Sequence, residues 1–386
     1  MNNSLKELTV LRGLEKNQLF RLFVNTAEGG DKSLFYYQIF KDGAENDFTA
    51  KLCELILQDE NAFSVTCARG DAPSEYLLNA FTEDLQTIFC AAKKYSDDRY
   101  FCLGRPSYPF DGQFDAQISA ENLKKFYRGH GYGQFIKYKA FSYADGKLVP
   151  IANTPTVTLS DLKDYEYEKK VIGDNIVNFI HGLPYSNMLL CGDRGTGKSS
   201  TVHAMLNKYF EEGLRIIELN KETLLSVPEI RRTVAHNPLK FIVFIDDLSL
   251  GESDDKISSL KAALEGSVSG GTGNVMIVAT SNLRHIIKES FSERENAVHP
   301  SDSKAEQLSL SDRFGLTVMF STTDKALYLS IIRQLADDMK IKADRDELCS
   351  LAERWALVKG GRSPRRARQF IDLVYSCEVR GIPVEF

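Results

Sequence analysis

No apolar run in this 386-residue chain approaches the roughly 20 residues that a membrane-spanning helix requires. The N-terminal stretch Met1-Asn2-Asn3-Ser4-Leu5-Lys6-Glu7 carries neither a basic segment nor an apolar one, so no secretory leader is read there. Cys-x-x-Cys pairs are missing as well. The seven cysteines (Cys53, Cys67, Cys90, Cys102, Cys191, Cys349 and Cys377) are scattered and odd in number, which fits free thiols in a reducing cytosol. A large excess of one charge is also lacking. The formal net charge of -5 argues against broad electrostatic binding to nucleic acid, although a local basic patch is compatible with it. These absences predict a soluble, cytoplasmic protein. Its 43% hydrophobic and 26% charged content is ordinary for a globular chain, and its length suffices for two domains.

Chemical motifs are missing from about residue 1 to 140, where only packing signals occur. Leu77, Leu78, Phe81, Leu85, Ile88 and Phe89 recur at helical spacing and predict an amphipathic helix. The run Leu34-Phe35-Tyr36-Tyr37-Gln38-Ile39-Phe40 fits a helix or a buried strand, and periodicity does not choose. A mostly helical N-terminal domain over residues 1–150, available for binding a partner, is the expectation. Lys124 to Phe141 interleaves basic and aromatic residues as a nucleic-acid surface would. Alternation of Ile136, Tyr138 and Ala140 against Lys137 and Lys139 is better read as a half-buried strand. Val149 to Leu159 holds two prolines and no helical period, which predicts an extended linker and a domain boundary near residue 150. Ser160 is expected to cap a helix carrying Leu162, Tyr165, Val171, Ile172, Ile176, Phe179 and Ile180, with a break near Gly173.

What is present begins at Asn187. The apolar run Met188 to Leu190 predicts a buried strand, and Gly192, Gly195 and Gly197 let the following backbone turn its N–H groups around an anion. Lys198 can reach the β and γ phosphates of a nucleotide, and the Ser199 hydroxyl can ligate Mg²⁺. A helix then points its positive end at the same place. The cradle is expected to comprise Gly192, Asp193, Arg194, Gly195, Thr196, Gly197, Lys198, Ser199 and Ser200.

Strand-like and helix-like runs alternate beyond it. They are a helix from Ser199 to about Phe210, a strand Leu214 to Leu219, a short helix around Glu229 to Ala235 and a strand Phe241 to Ile245. A helix from Asp254 to Glu265 capped by Ser253, a glycine turn from Ser269 to Gly273 and a strand Val275 to Ala279 follow, then a polar loop from Arg284 to Gln307 and a strand Leu316 to Phe320. Such alternation predicts a parallel sheet covered on both faces. From Thr323 the pattern is purely helical and reads as a small lid. The expected division is 1–150, a nucleotide-binding core over 151–321 and a lid over 322–386.

Strand ends on the carboxyl side are where ligands sit in such sheets. Phe241 to Ile245 ends in Asp246-Asp247, which sets Asp246 to hold Mg²⁺ and Asp247 to orient or deprotonate an attacking water. The next strand ends in Ala279-Thr280-Ser281-Asn282, which brings the Asn282 amide beside the same site to hold the water or the γ-phosphate.

Gly192 to Ser199, Asp246-Asp247, Asn282, Ser311-Asp312-Arg313-Phe314-Gly315 and Gly361-Arg362-Ser363-Pro364-Arg365 resemble, in order, the Walker A, Walker B, sensor 1, arginine-finger and sensor 2 elements of AAA+ ATPases. More narrowly, Leu189 to Ser200, Asp246 to Ser249, Ala279 to Asn282, Val298-His299-Pro300 and Ser309 to Gly315 resemble a bacterial AAA+ family that carries only a domain-of-unknown-function label. The resemblance covers about residues 129 to 386. It implies a five-stranded parallel sheet of order 5-1-4-3-2, a helical lid, and ATP with Mg²⁺ as ligands. It also implies that Arg313 reaches a neighbouring subunit's site, so that the protein is a homo-oligomer, and that Arg365 contacts phosphates of its own. The chain departs from the AAA+ pattern at Asp247, where Glu is usual, and this predicts slow hydrolysis or a different water position.

Two further absences narrow the function. Asn207-Lys208-Tyr209-Phe210 and Asn220-Lys221-Glu222-Thr223 lack the Asp that completes a guanine-reading Asn-Lys-x-Asp, which favours adenine. The stretch Asn220 to Ser226 has no aromatic where polypeptide-threading machines carry one. The leading expectation is an ATP-hydrolysing switch or remodeller acting on a protein client. An ATP-binding scaffold with little turnover and a nucleic-acid loader using Lys124 to Lys139, Arg366 and Arg368 are the alternatives.

Overall fold

The computed structural model describes residues 4–96, 98–220, 222–248, 264, 273–282 and 313–386. The helix expected from Asp254 to Glu265, the turn from Ser269 to Gly273 and the loop from Arg284 to Gln307 fall wholly or almost wholly outside the described residues, as do Val298-His299-Pro300, Ser311 and Asp312. The chain divides into two units, Met1–Tyr138 with Val234–Leu239, and Lys139–Thr233 with Lys240–Phe386.

The first unit is built from α1 (Gln18–Ala27), α2 (Ser33–Lys41), α3 (Phe48–Gln58), α4 (Ala62–Ala68), α5 (Glu75–Lys93), α6 (Ala116–His130) and the single turn α7 (Gln134–Lys137). Side-chain oxygens of Asn17, Asp47, Asn61, Ser74 and Asp115 accept N–H bonds in the first turns of α1, α3, α4, α5 and α6 and so fix where each helix starts. Phe23, Phe35, Phe48 and Phe101 interlock at the centre. The Leu34 to Phe40 run is helical, with Phe35 and Ile39 buried and Leu34, Tyr37 and Phe40 exposed. Asp84 is buried in this unit, yet it is fully engaged. Its carboxylate accepts the backbone N–H groups of Thr9, Val10 and Leu11 at 3.1, 2.7 and 2.8 Å.

The second unit holds the sheet. Its first strands are β1 (Ala140–Ala144) and β2 (Lys147–Ile151), an antiparallel hairpin closed by Asp145 and Gly146 at φ of 50° and 75°. Two successive residues in the left-handed region match the twist that a two-residue hairpin needs. After α8 (Glu166–Ile180) come β3 (Met188–Gly192), α9 (Lys198–Tyr209), β4 (Leu214–Leu219), α10 (Val227–Val234), β5 (Lys240–Ile245), β6 (Val275–Ser281) and β7 (Leu316–Phe320). The strand order is β2-β1-β4-β5-β6-β3-β7. Every pair but the first hairpin is parallel.

The sheet therefore has seven strands, not the five expected. The two additional strands come from the stretch read as a strand near Ile136 and a linker from Val149. Ile136 instead lies in α7, and β1 extends the sheet by pairing Ala140 with Ile216 of β4. Pro150 hides β2 in the sequence, because proline withholds a donor. On an edge strand that loss is tolerated. For the same reason the division between units falls at Tyr138 rather than near residue 150.

Central strands β3 and β6 are buried along their whole length, whereas edge strands β2 and β7 alternate buried and exposed residues. Ile172, Ile176 and Phe179 of α8 share a core with Leu190, Met205 and Ile242. The helix begins at Glu166, not at Ser160, since Tyr165 takes the left-handed region at φ 59° and ends any earlier helical run. Gly173 does not break it; the residue is buried in the helix, and an added Cβ would lie 3.5 Å from the Met205 methyl. The chain ends in α11 (Lys325–Asp338), α12 (Arg345–Val358) and α13 (Pro364–Arg380), packed around Ile331, Leu335, Trp355 and Phe370.

Replacing Asp84 by Ala leaves three backbone donors without this acceptor, and the Leu11 N–H among them is buried. We expect a loss of about 3 kcal/mol in the stability of the first unit, measured by urea unfolding, because hydrogen bonds to charged groups contribute about 1.5–3 kcal/mol each and are not additive.

Candidate nucleotide-binding site

Parallel pairing brings the carboxyl ends of β3, β5 and β6 to one edge, with Cys191 opposite Ser281 and Ile245 opposite Ala279. Beyond β3 the chain turns through Gly195 and Gly197 at φ of 83° and 97°, where a side chain is strained, and enters α9 at Lys198. Gly192, itself at φ 146°, has a second reason to be glycine. A Cβ there would sit 2.5 Å from the Phe320 carbonyl oxygen of neighbouring β7. Thr196 Oγ1 donates to Asp193 O at 2.9 Å and tightens the turn. Thr201 N–H bonds Gly197 O at 2.8 Å, and the N–H groups before it have no acceptor within the helix and are available to an anion.

Lys198 is 6% exposed and donates to Gly192 O and Asp193 O, both at 2.8 Å, and to Asn282 Oδ1 at 3.1 Å. Burial pushes its ammonium below the usual lysine range, with Cys191, Asp193, Asp246 and Asp247 pulling the other way. A phosphate beside it would supply the missing counter-charge. The neighbouring Cys191 thiol is pushed up to about 11 by burial, so it is inert as a nucleophile at neutral pH.

Ser199 Oγ donates to Asp246 Oδ1 at 2.6 Å, and Thr280 Oγ1 donates to the same oxygen at 2.6 Å. Asp247 follows in the left-handed region at φ 52°. Its N–H is taken by Thr280 Oγ1 at 2.9 Å, and its Oδ1 by Asn282 Nδ2 at 2.5 Å. The exposed Arg194 guanidinium stands 3.9 Å from Asp247 Oδ2. Asn282 thereby links the lysine on one side to the second carboxylate on the other.

The last helix closes the arrangement. Ser363 caps α13 and Pro364 occupies its first turn. Arg365 N–H bonds Gly195 O at 3.2 Å, and a Cβ on Gly195 would come within 3.1 Å of Ser363 Oγ. Together these elements bound a cavity of about 690 Å³. Arg194 through Ser200, Asp246, Asp247, Asn282 and Arg365 all line it. Arg313 does not. It precedes β7, whose Leu316 pairs with Met188 and whose Phe320 pairs with Gly192, so it lies toward the strand end opposite the phosphate loop.

Three contributions escaped the sequence reading. Thr280 binds both carboxylate residues, Arg368 joins Arg365 at the cavity wall, and Val157, Leu162, Tyr165, Ile331 and Leu335 supply an apolar lining. Only the hydroxyl in the Ala279-Thr280-Ser281-Asn282 strand end hinted at the first. Among the described residues no group of three or more His, Cys, Asp or Glu side chains is placed to hold a metal. The Ser199 and Asp246 oxygens nevertheless fit Mg²⁺, which takes few protein oxygens and completes its shell with phosphate and water.

A phosphate loop leading into a helix, a strand order β7-β3-β6-β5-β4 within the sheet, an acidic end on β5 and a helical lid against the loop define a P-loop nucleotide-binding protein of AAA+ type. The chain belongs to the family described as "Protein of unknown function (DUF815)", whose profile matches residues 136–377. No curated protein matches it. Among solved structures it is similar to the RuvB Holliday junction branch migration motor of Thermotoga maritima, at 16% identity over 59% of this chain and 68% of that one, with a TM-score of 0.39. A point variant of RuvB from the same organism gives 15% identity, the same coverage of 59% and 68%, and a TM-score of 0.39.

Gly192→Ala should lower stability by about 1–3 kcal/mol and weaken ATP binding, since the added methyl meets backbone that has to shift. Thermal unfolding and calorimetric ATP titration read the two effects separately.

Proposed function

We propose that the protein binds ATP with Mg²⁺ and hydrolyses it between subunits to switch or remodel a protein client. The observation that carries this reading is the unbroken polar network from Lys198 through Asn282 to Asp247, and from Ser199 to Asp246, around one cavity. Lys198 and the loop N–H groups hold the phosphates, and Arg365 contacts them from the lid. Ser199 and Asp246 hold Mg²⁺, which when bound draws charge from the phosphate oxygens. Asp247 and Asn282 orient the attacking water. Arg313, at the far end of its strand, serves the site of a neighbouring subunit in a homo-oligomer. The first unit, residues 1–138 with 234–239, is the proposed holder of the client.

The scaffold reading has one observation in its favour. Asp247 Oδ1 is already engaged by Asn282 at 2.5 Å, and its side chain is one methylene shorter than glutamate. The nucleic-acid reading is weakened by the basic residues it needs. Lys124 pairs with Glu121 at 3.6 Å and Lys137 with Glu54 at 2.7 Å, while Arg128 donates to Gly70 O at 3.0 Å.

ATPase rate per subunit should rise with protein concentration as mass increases, and Arg313→Ala should reduce it by roughly three to five orders of magnitude while ATP still binds. A flat rate with concentration, together with an unaffected Arg313→Ala variant, would remove the shared site. Asp247→Glu should raise turnover if the short carboxylate limits it. Phosphate release measured on the oligomer decides between the hydrolytic and scaffold readings.

A further inference from the structure

We propose that Thr280 is a positioning residue for the reaction, one hydroxyl that sets both the cation-holding carboxylate and the turn that aims Asp247. The inference rests on the ATPase reading above. It goes beyond that reading in naming the device by which an aspartate serves there.

Thr280 is 2% exposed, at the end of the fully buried strand β6. A hydroxyl has one proton to give and can accept as well. Thr280 gives its proton to Asp246 Oδ1 at 2.6 Å and accepts the Asp247 N–H at 2.9 Å. Both bonds act on adjacent residues of another strand's exit, so the rotor is fixed and the two residues are fixed with it. The carboxylate oxygen it grips is the one that also accepts from Ser199. Its grip therefore sets how that oxygen faces a cation held between Ser199 and Asp246.

The second bond bears on Asp247. A residue with a Cβ rarely adopts φ of 52°, and it stays there only if its surroundings enforce it. Here the N–H of Asp247 is tied to the Thr280 hydroxyl, the N–H of Leu248 to Thr280 O at 2.7 Å, and Leu248 O accepts from Ser281 Oγ at 3.2 Å. The exit of β5 is thus stitched to the end of β6 on both sides of Asp247. The bend turns a short side chain toward Asn282, where an extended exit would leave a carboxylate one methylene short of the site. Thr280 is a support for groups that act; it does not itself touch the nucleotide in this account.

Thr280→Val keeps the side chain's shape and removes both bonds, whereas Thr280→Ser keeps both. In full-length protein, ATP titrations at increasing Mg²⁺ should show Thr280→Val needing roughly ten- to a hundred-fold more Mg²⁺ for half of the Mg²⁺-dependent gain in affinity, the range seen when partners of metal ligands are removed. The kcat for ATP should fall by about the same factor with KM at saturating Mg²⁺ little changed, and Thr280→Ser should restore both quantities toward wild type. If Thr280→Val does not fold, Thr280→Ala replaces it as the hydroxyl-free variant against Thr280→Ser. Unchanged Mg²⁺ dependence and kcat in the hydroxyl-free variant overturn the proposal. So does a Thr280→Ser variant as impaired as the hydroxyl-free one, which would assign the effect to packing of the methyl. A wild-type chain that binds ATP but never releases phosphate removes the ATPase reading alone, and the Mg²⁺ titration still decides for Thr280. Lack of any Mg²⁺-dependent ATP binding overturns both.

Discussion

The site depends on strand register. Because β5, β6 and β3 run parallel and pair without a slip, three chain exits leave the sheet at one edge, and each exit carries a polar residue where its strand ends. A slip of one residue would send Asp246 and Thr280 to opposite faces of the sheet. Both β3 and β6 are buried along their whole length, so a shift along the sheet would carry their apolar end residues out of the core. The hydrogen bonds from Ser199 and Thr280 to Asp246 and from Asn282 to Asp247 are thus consequences of packing that lies beneath them.

Much of the second unit was legible in its residues for the same reason. The strands Leu214–Leu219 and Leu316–Phe320 coincide with the apolar runs that announce them, and the loop's glycines fall where the backbone has positive φ. What was not legible came from partners distant in sequence. β1 and β2 are short and one contains Pro150, so their strand character appears only once β4 offers an edge. Tyr165 gives no local sign of its left-handed conformation, which is held by a hydroxyl bond to Ser321 O at 3.0 Å. Thr280 sits in the Ala279-Thr280-Ser281-Asn282 stretch, but its own role was not legible there because its two partners are more than thirty residues away along the chain.

In the first unit the pattern was readable but its meaning was not. Helical spacing announced α5, and aromatic content announced a core. Neither specifies a chemical role, because an interlocked set of phenylalanines is what any helical domain of this size needs to exclude water. Leu34, Tyr37 and Phe40 on α2 are among the apolar residues that the unit's own packing leaves exposed.

The bond from Arg365 N–H to Gly195 O makes α13 a pointer as well as a cover. Its 17 residues extend for about 25 Å from the point where it rests on the phosphate loop. A shift of about 1 Å at that fulcrum, if the rest of the helix were held, would tilt it by only some 2°. A rigid lid pivoting about the loop would do the reverse. A small rotation at the fulcrum would sweep the distant end, and Tyr375 and Val379 with it, across a much larger arc. Such a pivot would carry a change of charge in the cavity to the far end of the helix as a displacement.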